Sequence, residues 1–183
     1  MFVGLGNPGL GYRNNRHNVG FVAIDTIAGS TEFKKIASLA GIVVVSLSNQ
    51  KILMAKPMTF MNLSGQAVRF LSDFYKIPLE KIYVFHDDID LSFGHIKIKK
   101  GGGSAGHNGL KSLDSTMGNN YWRVRIGIGR PERKSEVASY VLSDFSEDEK
   151  NTLENIFFKM RSNISLLIEE PDRFGSLLNM KEQ

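Results

Sequence analysis

Short apolar runs rich in β-branched residues alternate along this chain with segments of helical periodicity, and this alternation limits the fold most. A run of this kind predicts a strand, especially where turn residues bound it. The predicted strands cover residues 3–5, 41–47, 51–55, 81–88, 94–100 and 123–129. Residues 41–47 and 51–55 are separated by only three residues, which predicts a hairpin.

Helical patterns fill the intervals between these strands. The apolar spacing of Val19, Val22, Ile24 and Ile27 predicts a helix over about residues 18–28. Further helices are predicted over 64–75 with Ser64 as its cap, near 107–117, from a Ser146–Glu149 capping box onward, and around 171–180. This order predicts one α/β domain over residues 1–183, a twisted mixed β-sheet flanked by helices.

The composition excludes several classes of protein. The 183 residues are 42% apolar, which is enough for a buried core, and no apolar run approaches the roughly 18 residues that cross a bilayer. The first residues do not have the pattern of a secretion signal. The chain has no Cys, so disulfides, thiolate nucleophiles and cysteine metal sites are excluded. We therefore expect a cytoplasmic protein without a membrane partner.

Positive charge is concentrated in the middle of the chain. Residues 90–135 contain nine Lys and Arg but only three Asp and Glu, whereas residues 136–183 are net acidic. Such clustering favours a polyanion partner, because cations that neutralise phosphates release condensed counterions. The alternative from charge alone is a solvated basic face without a partner.

Two short patterns match known signatures but fail on chemistry. Gly4–Gly9 fits the dinucleotide-binding G-x-G-x-x-G. That motif needs free N–H groups at a helix start, and here Pro8 lacks an N–H while Gly11 interrupts the helix. Gly102–Gly106 fits the G-x-S-x-G elbow of serine esterases, but the last His of the chain, His107, comes only three residues after Ser104. The Gly run is better explained by close backbone approach to a substrate.

The acidic segment 86–90, HDDID, raises the question of a metal. Hard cations take oxygen ligands, but no second acidic cluster with ligand spacing is evident in the sequence. Carboxylates at a strand end are more often simply solvated. We therefore predict no metal site and no cofactor.

Polar side chains at the ends of elements are the remaining signal. Asp87 closes an apolar strand, where α/β sheets usually open their ligand crevice. His17 lies just before a predicted helix, and a carboxylate on one imidazole nitrogen would leave the other free to take a proton. Asn7, Asn62 and Asn108 lie in turns or at helix starts, a common place for Asn, and would also suit a site that grips a carbonyl and a ribose.

Six segments follow one another between Val3 and Phe145: GNPGLGYRNNRHNVGF, KPMTFMNLSG, FHDDIDL, GGGSAGHNGLKS, RVRIGIGRP and YVLSDF. Taken together, they resemble the bacterial-type peptidyl-tRNA hydrolase family. The resemblance implies an esterase that cleaves the bond between a peptide and the terminal ribose of tRNA without a cofactor. It also implies a monomer that recycles peptidyl-tRNA lost from ribosomes.

The resemblance also implies roles for particular residues. His17 would be the general base that activates water, and Asp87 would orient it. The substrate-binding positions of the family correspond to Asn7, Tyr12, Met61, Asn62, His107 and Asn108. The tRNA-contacting positions, which would hold the acceptor stem and the 5′ phosphate, correspond to Lys97, Lys99 and Arg125. For Met61, filling of the core is an equal alternative.

Two other classes of protein compete with the esterase. A non-catalytic RNA-binding protein on the same fold would keep the basic residues, since fold alone does not fix function. It would have no evident need for a base and its orienting carboxylate together, so the pair His17 and Asp87 favours the enzyme. A nucleotide-binding protein is the weaker competitor, because the glycine motif at Gly4–Gly9 lacks the required donors.

Overall fold

A seven-stranded mixed sheet forms the centre of the molecule. The structure is a computed structural model that describes residues 1–47 and 50–180. Within these residues the strands are β1 Phe2–Gly4, β2 Lys34–Ile36, β3 Ala40–Leu47, β4 Gln50–Pro57, β5 Tyr83–Asp88, β6 Ile96–Lys100 and β7 Trp122–Gly127. Their order across the sheet is β2-β3-β4-β1-β5-β7-β6. The predicted α/β class with a mixed sheet is confirmed.

The described residues also form seven α-helices, most of which pack against the two faces of this sheet. They are α1 Val19–Ala28, α2 Ser64–Phe74, α3 Asn108–Met117, α4 Val137–Val141, α5 Glu147–Ser162, α6 Leu166–Glu169 and α7 Pro171–Asn179. In the described part of the chain no helix is both long and apolar enough to cross a membrane.

The four central strands run parallel to one another, and each outer strand pairs antiparallel with its inner neighbour. Phe2 of β1 lies opposite Met54 of β4 on one side and Tyr83 of β5 on the other, and β5 is also parallel to β7. β3 and β6 are antiparallel to β4 and β7. Because both faces of a parallel sheet are covered, its strands read as continuous apolar runs. All six residues of β5 are buried.

Each face of the sheet has its own hydrophobic core. One core joins the sheet to α1, α5 and α7 through residues such as Phe85, Phe157 and Phe174. The other joins it to α2 and α3 through residues such as Leu71 and Leu110. Alternate residues of β1, β3, β4 and β5 supply the two cores, since successive side chains point to opposite faces.

The connections place a crevice at one edge of the sheet. The chain passes from β1 to β4 on one side, and then returns across β1 to β5 on the other. Where strand order reverses in this way, the carboxyl ends of the parallel strands border a ligand crevice. Residues that follow β1, β4 and β5 therefore meet at the same edge.

Several sequence predictions can now be compared with the structure. The Ser146–Glu149 capping box is confirmed, with both reciprocal hydrogen bonds. The prediction that Ser64 caps α2 is wrong: it is the first residue of the helix, and its buried Oγ has no partner within the described residues. The β3–β4 hairpin is confirmed by its antiparallel register, while its turn at Ser48 and Asn49 lies outside the described residues. The edge strand β2 was not predicted.

Candidate active site

His17 and Asp87 form a buried pair at the carboxyl edge of the sheet. His17 lies in a 3-10 turn, Arg16–Asn18, that leads directly into α1, and Asp87 is the fifth residue of β5. His17 Nδ1 is 2.9 Å from each carboxylate oxygen of Asp87. An ionised carboxylate only accepts, so Nδ1 carries the proton and donates it to Asp87. The other ring nitrogen, Nε2, makes no hydrogen bond among the described residues and is open to accept a proton.

A second imidazole, that of His107, shares the same carboxylate. Its Nε2 is 2.9 Å from Asp87 Oδ1, and its Nδ1 accepts from the backbone N–H groups of Gly109 and Leu110 at the start of α3. An imidazole nitrogen that accepts cannot also carry a proton. His107 is therefore the neutral tautomer that donates from Nε2, and it caps α3 while it supports Asp87.

The pKa values of Asp87 and His17 depend on burial and on the contacts among Asp87, His17 and His107. Burial would raise the pKa of Asp87, but the electrostatic interactions and hydrogen bonds with the imidazoles of His107 and His17 outweigh burial and hold this pKa far below its usual range. Burial would lower the pKa of His17, but the charge of Asp87 and its hydrogen bond raise this pKa above 6.5. Asp87 is thus ionised, and His17 is a stronger base than a free imidazole.

A third histidine, His86, lies beneath the pair and stays neutral. Burial, with a further contribution from His107, lowers the pKa of His86 to about 3. Its ring packs edge-on against His107, with 5.2 Å between the centroids, and its Nδ1 is 2.8 Å from the carbonyl oxygen of Asp87. Its Nε2 is buried without a partner in the described part of the chain.

His17, Asp87 and His107 also lie close enough together to suggest a metal site. One ligand atom from each lies within 4.8 Å of the others. To bind a metal, however, His107 Nε2 would have to lose its proton, and Nδ1 would then carry it. That tautomer cannot accept from the N–H groups of Gly109 and Leu110. The cap of α3 therefore opposes metal binding by this set.

Hydrogen bonds from Asn18 and Met61 hold Asn7 near His17. Asn18, the residue after His17, accepts from the N–H of Asn7 and donates to its carbonyl, both at 2.9 Å. Asn7 Oδ1 in turn accepts from the N–H of Met61 at 2.8 Å. The side chain of Asn7 is thereby oriented, and its Nδ2 donates no hydrogen bond within the described residues.

The other predicted substrate-binding residues differ in their surroundings. Met61 is only 4% exposed and belongs to the core beneath α2 and α3, which favours its structural role. Asn62 is exposed in the 3-10 turn Met61–Leu63 that follows β4, and Asn108 is exposed as the first residue of α3. Tyr12 is half-buried after β1. Asn108 borders the cleft described next, whereas Asn7, Tyr12, Met61 and Asn62 do not.

A cleft of about 470 Å³ opens beside the His17–Asp87 pair. One wall is the glycine-rich segment 101–106, and another is α4 with Val137, Ala138 and Val141. Four cationic residues also line the cleft: Lys99, Arg123, Arg125 and Lys134. Lys97 does not line the cleft.

Four basic residues of β6 and β7 share one face of the sheet, but only two of them form ion pairs in the part of the chain that the structure describes. In register, Lys97 lies opposite Arg125, and Lys99 lies opposite Arg123. Arg125 is paired with Asp88 at 2.6 Å, and Arg123 is buried against Asp114. Lys97 and Lys99 are exposed and have no ion pair within residues 1–47 and 50–180. These lysines are therefore the more available cations.

A buried arginine that sequence reasoning missed anchors the segment of His17. Arg16 donates to both carboxylate oxygens of Glu149, at 2.9 and 2.8 Å, and to the carbonyl of Asp144. Its guanidinium lies 4.7 Å from the ring centroid of Tyr140 and 4.9 Å from that of Phe145. Its position beside His17 was the only signal in the sequence.

Comparison with known proteins gives a consistent result. A family model described as "Peptidyl-tRNA hydrolase" matches residues 1–182. Peptidyl-tRNA hydrolase of Rickettsia bellii (strain RML369-C) is 48% identical over 172 residues, covering 92% of this chain and 93% of the relative. That of Wolbachia pipientis wMel is 47% identical over 171 residues, with the same coverages. The crystal structure of peptidyl-tRNA hydrolase from Acinetobacter baumannii superposes with a TM-score of 0.91 at 34% identity, covering 99% of this chain and 94% of that chain. The chain belongs to the peptidyl-tRNA hydrolase family.

Proposed function

We propose that this protein hydrolyses the ester between the peptide and the terminal ribose of peptidyl-tRNA, with His17 as the general base. The observation that carries the proposal is the pair of His17 and Asp87, in which Nδ1 is held and Nε2 is free beside the cleft. A positioned general base contributes roughly 10²–10⁴-fold in rate. Exposed lysines on the neighbouring strand supply the charge that an RNA substrate needs.

The reaction requires one proton to move twice. Neutral His17 takes a proton from water through Nε2 while the water oxygen attacks the ester carbonyl, and Asp87 stabilises the imidazolium formed. The imidazolium then returns the proton to the ribose oxygen as the carbon–oxygen bond breaks. The products are a peptide carboxylic acid, which ionises in water, and tRNA with its terminal hydroxyl.

Asn7 is the amide best arranged to stabilise the oxyanion. Its Oδ1 is occupied by the N–H of Met61, so the Nδ2 group is directed and available as a donor. A donor of this kind contributed about 2.7–4 kcal/mol where one was removed from another hydrolase. Asn62 and Asn108 would contact the peptide from their exposed positions, and Tyr12 would border the same region.

The RNA would bind along β6 and β7. Lys97 and Lys99 would contact phosphates of the acceptor stem and the 5′ end, and Arg125 would assist while it remains paired with Asp88. Phosphate contacts ignore base sequence, as suits an enzyme that accepts many tRNAs.

Several further features form part of the same proposal. The chain would act as one domain in the cytoplasm, without a cofactor, a metal or an obligate protein partner. His107 supports the absence of a metal, because its tautomer serves α3 and Asp87 at the same time.

Replacement of His17 by Ala tests the proposal directly. Release of N-acetyl-amino acid from N-acetyl-aminoacyl-tRNA should fall by two or more powers of ten, because in the described residues no other imidazole bound to the carboxylate of Asp87 has a free ring nitrogen. Binding of uncharged tRNA is measured alongside and should be retained. His95→Ala is the matched control, since this exposed histidine lies outside the cleft.

The outcome also separates the two classes of protein. Wild-type protein that binds tRNA but releases no N-acetyl-amino acid would instead be an RNA-binding protein on this fold. Equal activity of His17→Ala and His95→Ala would remove His17 from the mechanism.

A further inference from the structure

The glycine-rich segment 101–106 presents a row of unused backbone donors beside the cleft. Within the described residues, the N–H groups of 102–106 donate no hydrogen bond, while the flanking N–H groups of Gly101 and His107 do. Four residues of this segment have positive φ, at Gly101, Gly102, Ala105 and Gly106. The backbone is therefore held in a conformation that leaves successive N–H groups unpaired, a feature of anion-binding loops.

A buried arginine turns two of these peptides in one direction. Arg123, which is 3% exposed, donates to the carbonyl oxygens of Gly102 and Gly103. In a planar trans peptide the N–H points opposite to the carbonyl. The N–H groups of Gly103 and Ser104 consequently point away from Arg123. Asp114 fixes the guanidinium from another side.

A free cation lies against the same segment. A methyl group built on Gly102 would lie 3.4 Å from Lys99 Nζ, so the ammonium group borders the loop. Lys134 also lines the cleft. The carboxylate of Asp114, in contrast, is already engaged by Arg123 and Tyr121. Directed N–H groups next to an unpaired ammonium favour a singly or doubly charged oxyanion such as phosphate.

We propose that segment 101–106 is a phosphate-binding site, in which the N–H groups of Gly103 and Ser104 hold a backbone phosphate of the RNA substrate and Lys99 adds charge. The proposal rests on the proposed function for the identity of the RNA. In this site Arg123 is a positioning residue: it orients the donors without touching the phosphate.

Single phosphates of the RNA can be neutralised without changing the protein. We would measure binding of wild-type protein to acceptor-stem minihelices that carry no amino acid. In each of three such RNAs, a neutral methylphosphonate replaces a different one of the last three internucleotide phosphates. A further RNA lacks the 5′ phosphate. These arms distinguish the 3′ strand from the 5′ end as the source of the bound phosphate. Unchanged affinity in every arm would overturn the proposal.

Removal of one N–H from the protein, combined with the modified RNAs, gives a double-mutant cycle. Ser104→Pro lacks the N–H, and Ser104→Ala keeps it and is the reference. On unmodified RNA we expect Ser104→Pro to bind about tenfold more weakly than Ser104→Ala, as for loss of a hydrogen bond to a charged group. The difference should disappear on the one RNA whose bound phosphate is neutral. A difference that persists on all the RNAs would indicate general damage and overturn the assignment.

Two further measurements make the result decisive. The slope of log Kd against log salt should stay unchanged in Ser104→Pro but become shallower by about one in Lys99→Ala, because only the lysine releases a counterion. If Ser104→Pro does not fold, an α-hydroxy acid at position 104 removes the same N–H without a ring. None of these RNAs carries an amino acid or a peptide. The test therefore depends on binding alone and would stand even if the protein did not hydrolyse peptidyl-tRNA.

Discussion

The protonation of His17 depends on a competition between burial and one carboxylate. Burial disfavours the imidazolium, and Asp87 favours it more strongly, so the pKa of His17 lies above 6.5. His107 contributes indirectly, because its hydrogen bond helps to keep Asp87 ionised. The base is thus stronger than a free imidazole, but a smaller fraction of it is neutral at pH 6.5.

This competition predicts the pH dependence of turnover. Only neutral His17 accepts a proton, so kcat should rise with pH and reach half its maximum above pH 6.5. In Asp87→Asn the carboxylate charge is lost while burial remains, so the pKa of His17 should fall and the rising limb should move to lower pH. The maximal rate should fall roughly 10²–10⁴-fold, as a neutral amide does not stabilise the imidazolium.

The pH profile of kcat and the NMR titration of the His17 ring check this prediction together. His95→Ala is the control and should keep the wild-type profile. A rising limb at the same pH in wild type and Asp87→Asn would contradict the role of Asp87.

Some of the residues of the site could be predicted from the sequence and others could not. His17 and Asp87 flank elements with clear periodicity, so their place at one edge of the sheet followed from the order of the elements. The bonds of Arg16 to Glu149, and of Arg123 to the carbonyls of Gly102 and Gly103, join positions far apart in the chain. No local pattern encodes such contacts. The sequence therefore showed Arg123 only as one of the nine basic residues of segment 90–135, although it is buried.

At the scale of elements, the position of α1 depends on close backbone approach. An ideal Cβ built on Gly20 would lie 2.3 Å from the carbonyl oxygen of Phe85 and 2.6 Å from the nitrogen of Leu5. Both contacts are with the backbone of the sheet, so neither neighbour can move aside as a side chain would. This contact brings the start of α1, and with it His17, down onto β1 and β5.

We expect Gly20→Ala to lower both stability and activity. The added methyl group must push α1 away from the sheet, which should cost about 3 kcal/mol of unfolding free energy or more. Urea unfolding and hydrolysis of N-acetyl-aminoacyl-tRNA would measure the two effects. Gly11→Ala is the matched control, because nothing lies within 4 Å of its ideal Cβ. Equal stability of the two variants would show that α1 tolerates displacement.

Local signals predicted most elements but not all of them. The capping box at Ser146 and the β-branched residues of β3 act over a few residues, so their elements were found. β2 has three residues, of which Lys34 and Lys35 are exposed, and it exists because β3 offers it a free edge. Ser64 is a residue type that often caps helices, but the 3-10 turn Met61–Leu63 leads directly into α2. The N-cap position is therefore occupied by Leu63, the last residue of that turn.

At the scale of the whole molecule, the proposed RNA contacts and the proposed base lie on different parts of the sheet. Lys97 and Lys99 lie on the edge strand β6, whereas His17 and Asp87 lie at the carboxyl ends of the parallel strands. The double variant Lys97→Ala with Lys99→Ala should therefore weaken tRNA binding and raise KM while it spares hydrolysis of a minimal ester. Loss of two phosphate contacts should also flatten the salt dependence of binding, with a slope smaller by about two.

Kinetics on both substrates, measured over a range of salt concentrations, check this expectation. Lys34→Ala with Lys35→Ala is the matched control, since it removes two exposed lysines from the opposite edge strand. Equal loss on the tRNA substrate and on the minimal ester would contradict the separation.

The Arg16–Glu149 ion pair has a consequence for the synthesis of the chain. It joins residues 133 positions apart in the sequence. The strand β1 also cannot pair in the sheet until β4 and β5 have been synthesised. A nascent chain that ends before Glu149 therefore lacks the carboxylate that holds Arg16, the residue before His17. Contacts of such long range also slow folding, because the loop must close before the contact forms. We therefore expect the segment of His17 to reach its final position only after α5 has emerged from the ribosome.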